Sequence, residues 1–214
     1  MDLKSNAAPR RKLGSLVRMP AKPTSDPWTG AAALPARELT ILQRMDRDTR
    51  AGIGTEDARA FVEQAYRSRS DEEEIDHAFA VAQLLQDEGQ PSVLVTAGLL
   101  HDVVEDTDVS ADEVRDRFGP DVTRIVEALT QDPSISGYEE RKAALRRQIL
   151  EAGRDAATVA LADKAEKIAS LHSRPRDNQF EHYLATLDAI EERYGRSPLS
   201  ERARVNLERL PPSR

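Results

Sequence analysis

Residues 99–106 read Leu-Leu-His-Asp-Val-Val-Glu-Asp, and the reading of this string decides the rest of the chain. It closes an almost wholly apolar run, Val93 to Leu100, that begins after Pro91 and reads as a buried helix. Four ionisable side chains then fall within six residues. Continued as a helix at about 100° per residue, His101, Asp102, Glu105 and Asp106 share one arc of about 140°. Bringing such groups into a core is costly unless each meets a partner or a metal. A metal is the simplest reason to aim one imidazole and three carboxylates at one place. The plainer reading is a chance His-Asp pair followed by a solvated helix end.

Two other segments tip the balance towards a metal. The chain has four histidines, His77, His101, His172 and His182. His77 opens a helical pattern whose Val81, Leu84 and Leu85 fall on a core side. Asp163 ends the apolar run Val159-Ala-Leu-Ala before Lys164. Three helices thus each deliver a ligand-type side chain from a hydrophobic background. Two imidazoles and two carboxylates suit Mn, Fe or Zn better than Ca or Mg, which prefer all-oxygen shells. His172 and His182 read as ordinary helix residues.

His77, His101-Asp102 and Asp163, in that order, resemble the H…HD…D signature of the HD-domain metal-dependent phosphohydrolases. Leu99 to Thr107 is similar to the LLHDxxEDT segment of the RelA/SpoT-type alarmone hydrolases, and Leu161-Ala-Asp-Lys164 to their LADK segment. Glu140-Arg141-Lys142 resembles an ERK segment of the small alarmone hydrolases. The likeness runs over about residues 60–195. It implies His77, His101, Asp102 and Asp163 as metal ligands, with Mn²⁺ as the expected ion. It also implies Glu105 and Asp106 as the catalytic carboxylates that orient or deprotonate water and assist the leaving group. The alternative for that pair is to hold the ligands in place from behind.

Several positions depart from the family. Asp71-Glu-Glu-Glu74 replaces its Gly-x-Pro-Tyr, Ala78 its Pro after the first His, and Ala160 the Lys of KLAD. Lys167 stands where the family's ribose-contacting Asn falls. The ligand pattern is intact while the guanosine-recognising shell is altered. Substrate contacts are expected from the basic residues near these strings: Arg67, Arg69, Lys142, Lys164 and Lys167. Each also suits a surface ion pair, Lys142 with Glu139 and Lys167 with Asp163.

The 214 residues suit one domain with ample core. A net charge of −7 argues against a general nucleic-acid binder. An acidic protein that handles phosphate needs local positive charge, from a metal or clustered Lys and Arg. There is no cysteine, which excludes disulfides, thiolate nucleophiles and thiolate metal sites. Without an apolar run of membrane-spanning length or a signal-type N-terminus, the expectation is a cytoplasmic protein with no membrane partner.

Residues 1–30 carry Lys4, Arg10, Arg11, Lys12, Arg18 and Lys22 among Pro, Ser, Gly and Ala, and read as a disordered basic tail. Residues 31–54 read as a helical extension, and 55–210 as the phosphohydrolase-like domain. Helical patterns cover 36–48, 55–68, 71–88, 91–106, 110–118, 120–130, 138–152, 155–172, 178–195 and 199–209. Ser70-x-x-Glu73 and Ser110-x-x-Glu113 read as capping boxes, Pro91 and Pro120 as first-turn residues, and Gly89, Gly119, Gly153 and Gly195 as helix ends. No strand pattern appears, so the class is all-α, a helical bundle with short connections.

Three functions remain open on this reading. The first is a stand-alone, metal-dependent (p)ppGpp 3′-pyrophosphohydrolase using metal-activated water, with a small phosphorylated nucleotide as its partner. The second is an HD phosphohydrolase of another nucleotide or phosphorylated metabolite. The third is a non-catalytic metal- or nucleotide-sensing domain.

Overall fold

The computed structural model describes residues 54–67, 71–171 and 175–210. The expected tail, the extension up to residue 53, the first helical pattern, Ser70, Arg69 and His172 lie outside the described residues.

Among the described residues all regular structure is helical: α1 (Thr55–Tyr66), α2 (Glu72–Asp87), α3 (Ser92–Leu100), α4 (Val103–Asp106), α5 (Ala111–Phe118), α6 (Pro120–Leu129), α7 (Tyr138–Ala152), α8 (Arg154–Ala169), α9 (Asp177–Tyr194) and α10 (Pro198–Arg209). Local signals act where the sequence places them. Ser110 accepts from the Glu113 backbone N–H while the Glu113 side chain takes the Ser110 N–H, closing the capping box. Gly89, Gly119, Gly153 and Gly195 all have positive φ, which lets the chain reverse between helices.

Two helices form the centre. In α3, seven residues from Leu94 to Leu100 are buried, so this helix is apolar all round rather than amphipathic. It packs on α1, α2, α6 and α8. Helix α8 is buried along most of its length and touches α2, α3, α6, α7, α9 and α10. A Cβ on Gly98 would stand 2.5 Å from Leu85 Cδ1, so the missing side chain is what lets α3 approach α2 this closely.

One expectation needs correction. Residues 91–106 do not form one helix. Pro91 is the N-cap of α3 rather than a first-turn residue. The helix ends at Leu100, His101 and Asp102 form a turn, and Asp102 (φ −101°, ψ −5°) caps the short α4. Neither Gly nor Pro marks this break. It lies where the apolar run gives way to charge, and the turn leaves His101 buried while Glu105 reaches the surface.

Candidate metal centre

Helices α2 and α8 and the turn after α3 deliver His77, Asp163 and the His101-Asp102 pair to one place. His77 Nε2 lies 3.3 Å from His101 Nε2 and 3.2 Å from Asp163 Oδ1. His101 Nε2 lies 3.7 Å from Asp163 Oδ1 and 3.1 Å from Asp102 Oδ2. Asp102 stands to one side, 4.0 Å from His77 Nε2, and its carboxylate also gathers with those of Glu74 and Asp106.

The opposite ring nitrogens are already engaged. His101 Nδ1 lies 2.8 Å from the Gly98 carbonyl, an acceptor only, so Nδ1 carries the proton. His77 Nδ1 meets the Glu166 carboxylate in the same way. Each contact fixes its ring so that Nε2 points at the shared position and, once free of its own proton, presents a lone pair there, as in metal-binding histidines. Asp163 Oδ1 is buried and within ion-pair range of His77, His101 and Lys167, yet makes no contact of hydrogen-bond geometry. Two converging imidazole nitrogens and a buried carboxylate oxygen that lacks a hydrogen-bond partner fit a divalent cation.

The electrostatics agree. Burial opposes a charge on His101, but Asp102 and Asp163 outweigh it and raise its pKa to about 10. Burial likewise opposes charge on His77, and interactions with Asp163 and Glu166 raise it. For Asp163, burial is overcome by Lys164, Lys167 and the imidazoles, and its carboxyl stays well below the usual range. The cluster draws positive charge to one buried spot.

A cleft of about 200 Å³ opens beside it, lined by His101, Asp102, Glu105, Asp106, Lys142, Asp163, Lys164 and Lys167 among others. Most of the site residues expected from the sequence therefore share one wall. Glu105 accepts from the Gln131 backbone N–H at 3.1 Å and from the Gln131 side-chain amide, and Arg141 Nε donates to Gln131 Oε1 at 3.3 Å. Asp106 accepts from the Tyr66 hydroxyl at 3.4 Å. Burial, Asp102 and Glu74 raise the Asp106 pKa. Lys164 is buried and pairs with Asp163 Oδ2, while Lys142 stands over the Tyr138 ring. Arg67 is exposed at the end of α1 and lines neither this cleft nor its neighbour.

Glu166, Gln131 and Tyr66 were not singled out in the sequence, and Glu74 appeared there only as part of an acidic stretch. Glu166 had a signal: it follows Asp163 by three residues and so shares its face of α8. Gln131 had none, because its contact with Glu105 spans 26 residues.

The family model described as HD domain matches residues 57–189, and the chain belongs to the HD-domain family. Among curated proteins, the chain is similar to human guanosine-3′,5′-bis(diphosphate) 3′-pyrophosphohydrolase MESH1. The two are 36% identical over 110 residues, covering 50% of this chain and 61% of that protein. It is also 35% identical over 118 residues to a Synechocystis protein named probable guanosine-3′,5′-bis(diphosphate) 3′-pyrophosphohydrolase, covering 53% of this chain and 16% of that one. The chain thus spans less than two thirds of the length of these relatives. A solved structure described as a metazoan ortholog of SpoT that hydrolyzes ppGpp matches with TM-score 0.61 and 25% identity, covering 72% of this chain and 93% of that one. A crystal structure from Listeria monocytogenes matches with TM-score 0.51 and 29% identity over 61% of this chain and 90% of that one. No helix among the described residues is long and apolar enough to cross a membrane.

Proposed function

We propose that the protein is a metal-dependent phosphohydrolase that removes pyrophosphate from the 3′ position of (p)ppGpp. The observation that carries this reading is the convergence of His77 Nε2, His101 Nε2 and Asp163 Oδ1 beside a cleft holding Lys142, Lys164 and Lys167. Similarity to relatives named for this reaction supports it.

His77, His101, Asp102 and Asp163 would hold the ion; the mixed nitrogen and oxygen donors suit Mn, Fe or Zn, and Mn²⁺ is the ion implied by the family resemblance. When bound, such an ion supplies a water activated near neutral pH and polarises a phosphoryl oxygen. Glu105 has both oxygens engaged by Gln131, which would orient it to receive the proton of the attacking water. Asp106, whose pKa is raised by burial, Asp102 and Glu74, would assist protonation of the leaving oxygen. Lys142 and Lys164 attract the phosphate chain.

A second reading, an HD phosphohydrolase of another phosphorylated substrate, draws on Lys167, which is drawn into ion pairs with Asp102 and Asp163 at the position expected to touch ribose.

The test is to incubate purified protein with Mn²⁺ and ppGpp and separate products by ion exchange, with Asp102→Ala in parallel. GDP and pyrophosphate that disappear in the variant are expected. No GDP from metal-loaded protein would exclude the ppGpp reading and favour the second.

A further inference from the structure

We propose that Lys167 is a built-in competitor of the metal: its ammonium occupies Asp102 and Asp163 and lowers the affinity with which the centre fills. This rests on His77, His101, Asp102 and Asp163 being the ligands. Lys167 follows Asp163 by one turn of α8, so its stem runs along the same face. Its Nζ lies 3.3 Å from Asp102 Oδ2 and 3.4 Å from Asp163 Oδ1. These are the same two oxygens that face the imidazoles, at 3.1 Å from His101 Nε2 and 3.2 Å from His77 Nε2. The ammonium therefore bridges the metal-facing oxygens themselves.

Lys164 differs in this respect. It pairs with the other oxygen, Asp163 Oδ2, and can stay when Oδ1 is engaged elsewhere. Its side chain is 10% exposed, against 37% for Lys167. Lys167 also borders a second cleft of about 520 Å³, shared with Lys142, Lys164, Arg176 and Tyr183. A dication and an ammonium repel when they share a pair of carboxylates in a partly buried site. Filling the centre thus requires breaking both Lys167 ion pairs and moving its head group away from the two carboxylates.

The test titrates Mn²⁺ by calorimetry into EDTA-stripped full-length protein: wild type, Lys167→Met, Arg176→Met and His101→Ala. Methionine keeps the length of the lysine stem. Arg176→Met removes a charge from the second cleft without touching a ligand, and thermal melts check that each variant is folded. Lys167→Met is expected to bind Mn²⁺ about tenfold more tightly than wild type, with Arg176→Met close to wild type. Unchanged or weaker binding by Lys167→Met overturns the proposal, as does an equal gain in Arg176→Met, which would mark a diffuse charge effect. If wild type and His101→Ala bind alike, the ligand assignment itself fails, and the competition with it. Binding lost in His101→Ala but unmoved in Lys167→Met leaves the metal centre standing and removes Lys167 from it.

Discussion

His77 Nε2 and His101 Nε2 face each other at 3.3 Å, although 24 residues separate them in the chain. The two rings gain nothing from such an approach by themselves. It follows from the partners behind them, Glu166 at His77 Nδ1 and the Gly98 carbonyl at His101 Nδ1, which rotate both Nε2 atoms inward. The packing of α3 on α2 brings the rings together, and Gly98 serves both parts by permitting the close approach and supplying the carbonyl.

Glu166→Ala removes the group that orients His77 while leaving every proposed ligand in place. Loss of such a partner weakens metal binding by about 10- to 100-fold. Calorimetric titration with Mn²⁺ is expected to show a loss of this size with an unchanged melting profile in the metal-free protein. Wild-type affinity would mean that the Glu166 contact does not set the ring.

Gly98→Ala tests the α2–α3 approach. The new methyl meets Leu85 Cδ1, and Leu85 is fully buried with little room to retreat. Overpacking costs about 1–3 kcal/mol, and the better helix propensity of Ala returns about 1 kcal/mol. A net loss near 1 kcal/mol lowers Tm by about 2–4 °C for a chain of this size. A raised Tm would show that the helices are not in tight contact there.

Gln131→Leu keeps approximate volume but frees the Glu105 carboxylate from the side-chain amide and breaks the tie to Arg141. If Glu105 accepts the proton of the attacking water, kcat falls by about tenfold or more with KM little changed, since misplacement of a reacting group is costly. A rise in KM alone would assign the loop of Gln131 to substrate binding instead.

Acid sensitivity follows from His182. Burial, then the charges of Lys164 and Lys142, depress its pKa to about 3. The unfolded value is about 6.5. Below pH 6.5 the unfolded chain binds a proton that the native chain refuses, so this contribution is full above 6.5 and is lost as pH falls towards 3. The slope is about 1.4 kcal/mol per pH unit. Urea unfolding of wild type and His182→Gln at pH 7, 6 and 5 is expected to show a shallower decline in the variant. Parallel declines would place the acid-sensitive group elsewhere.

Much of the fold was legible because helix signals are local. Capping at Ser110, Pro120 at a first turn and four glycines with positive φ fixed most boundaries to within a residue or two. The gathering of His77, His101, Asp102 and Asp163 was legible because each ends or opens an apolar run. The turn at His101-Asp102 was not, since an uninterrupted helical pattern of charge and apolar residues carries no mark of a break. The supporting contacts were hidden for a different reason. Glu166 with His77 and Gln131 with Glu105 join separate elements, and only the packing of those elements creates them. Arg67 shows the converse: nearness in sequence to His77 does not bring it to the cleft.

The most direct test of the metal centre is anomalous diffraction at the manganese edge from crystals grown with Mn²⁺. One strong peak is expected within coordinating distance of His77 Nε2, His101 Nε2, Asp102 and Asp163. A peak elsewhere, or none at saturating Mn²⁺, would contradict it.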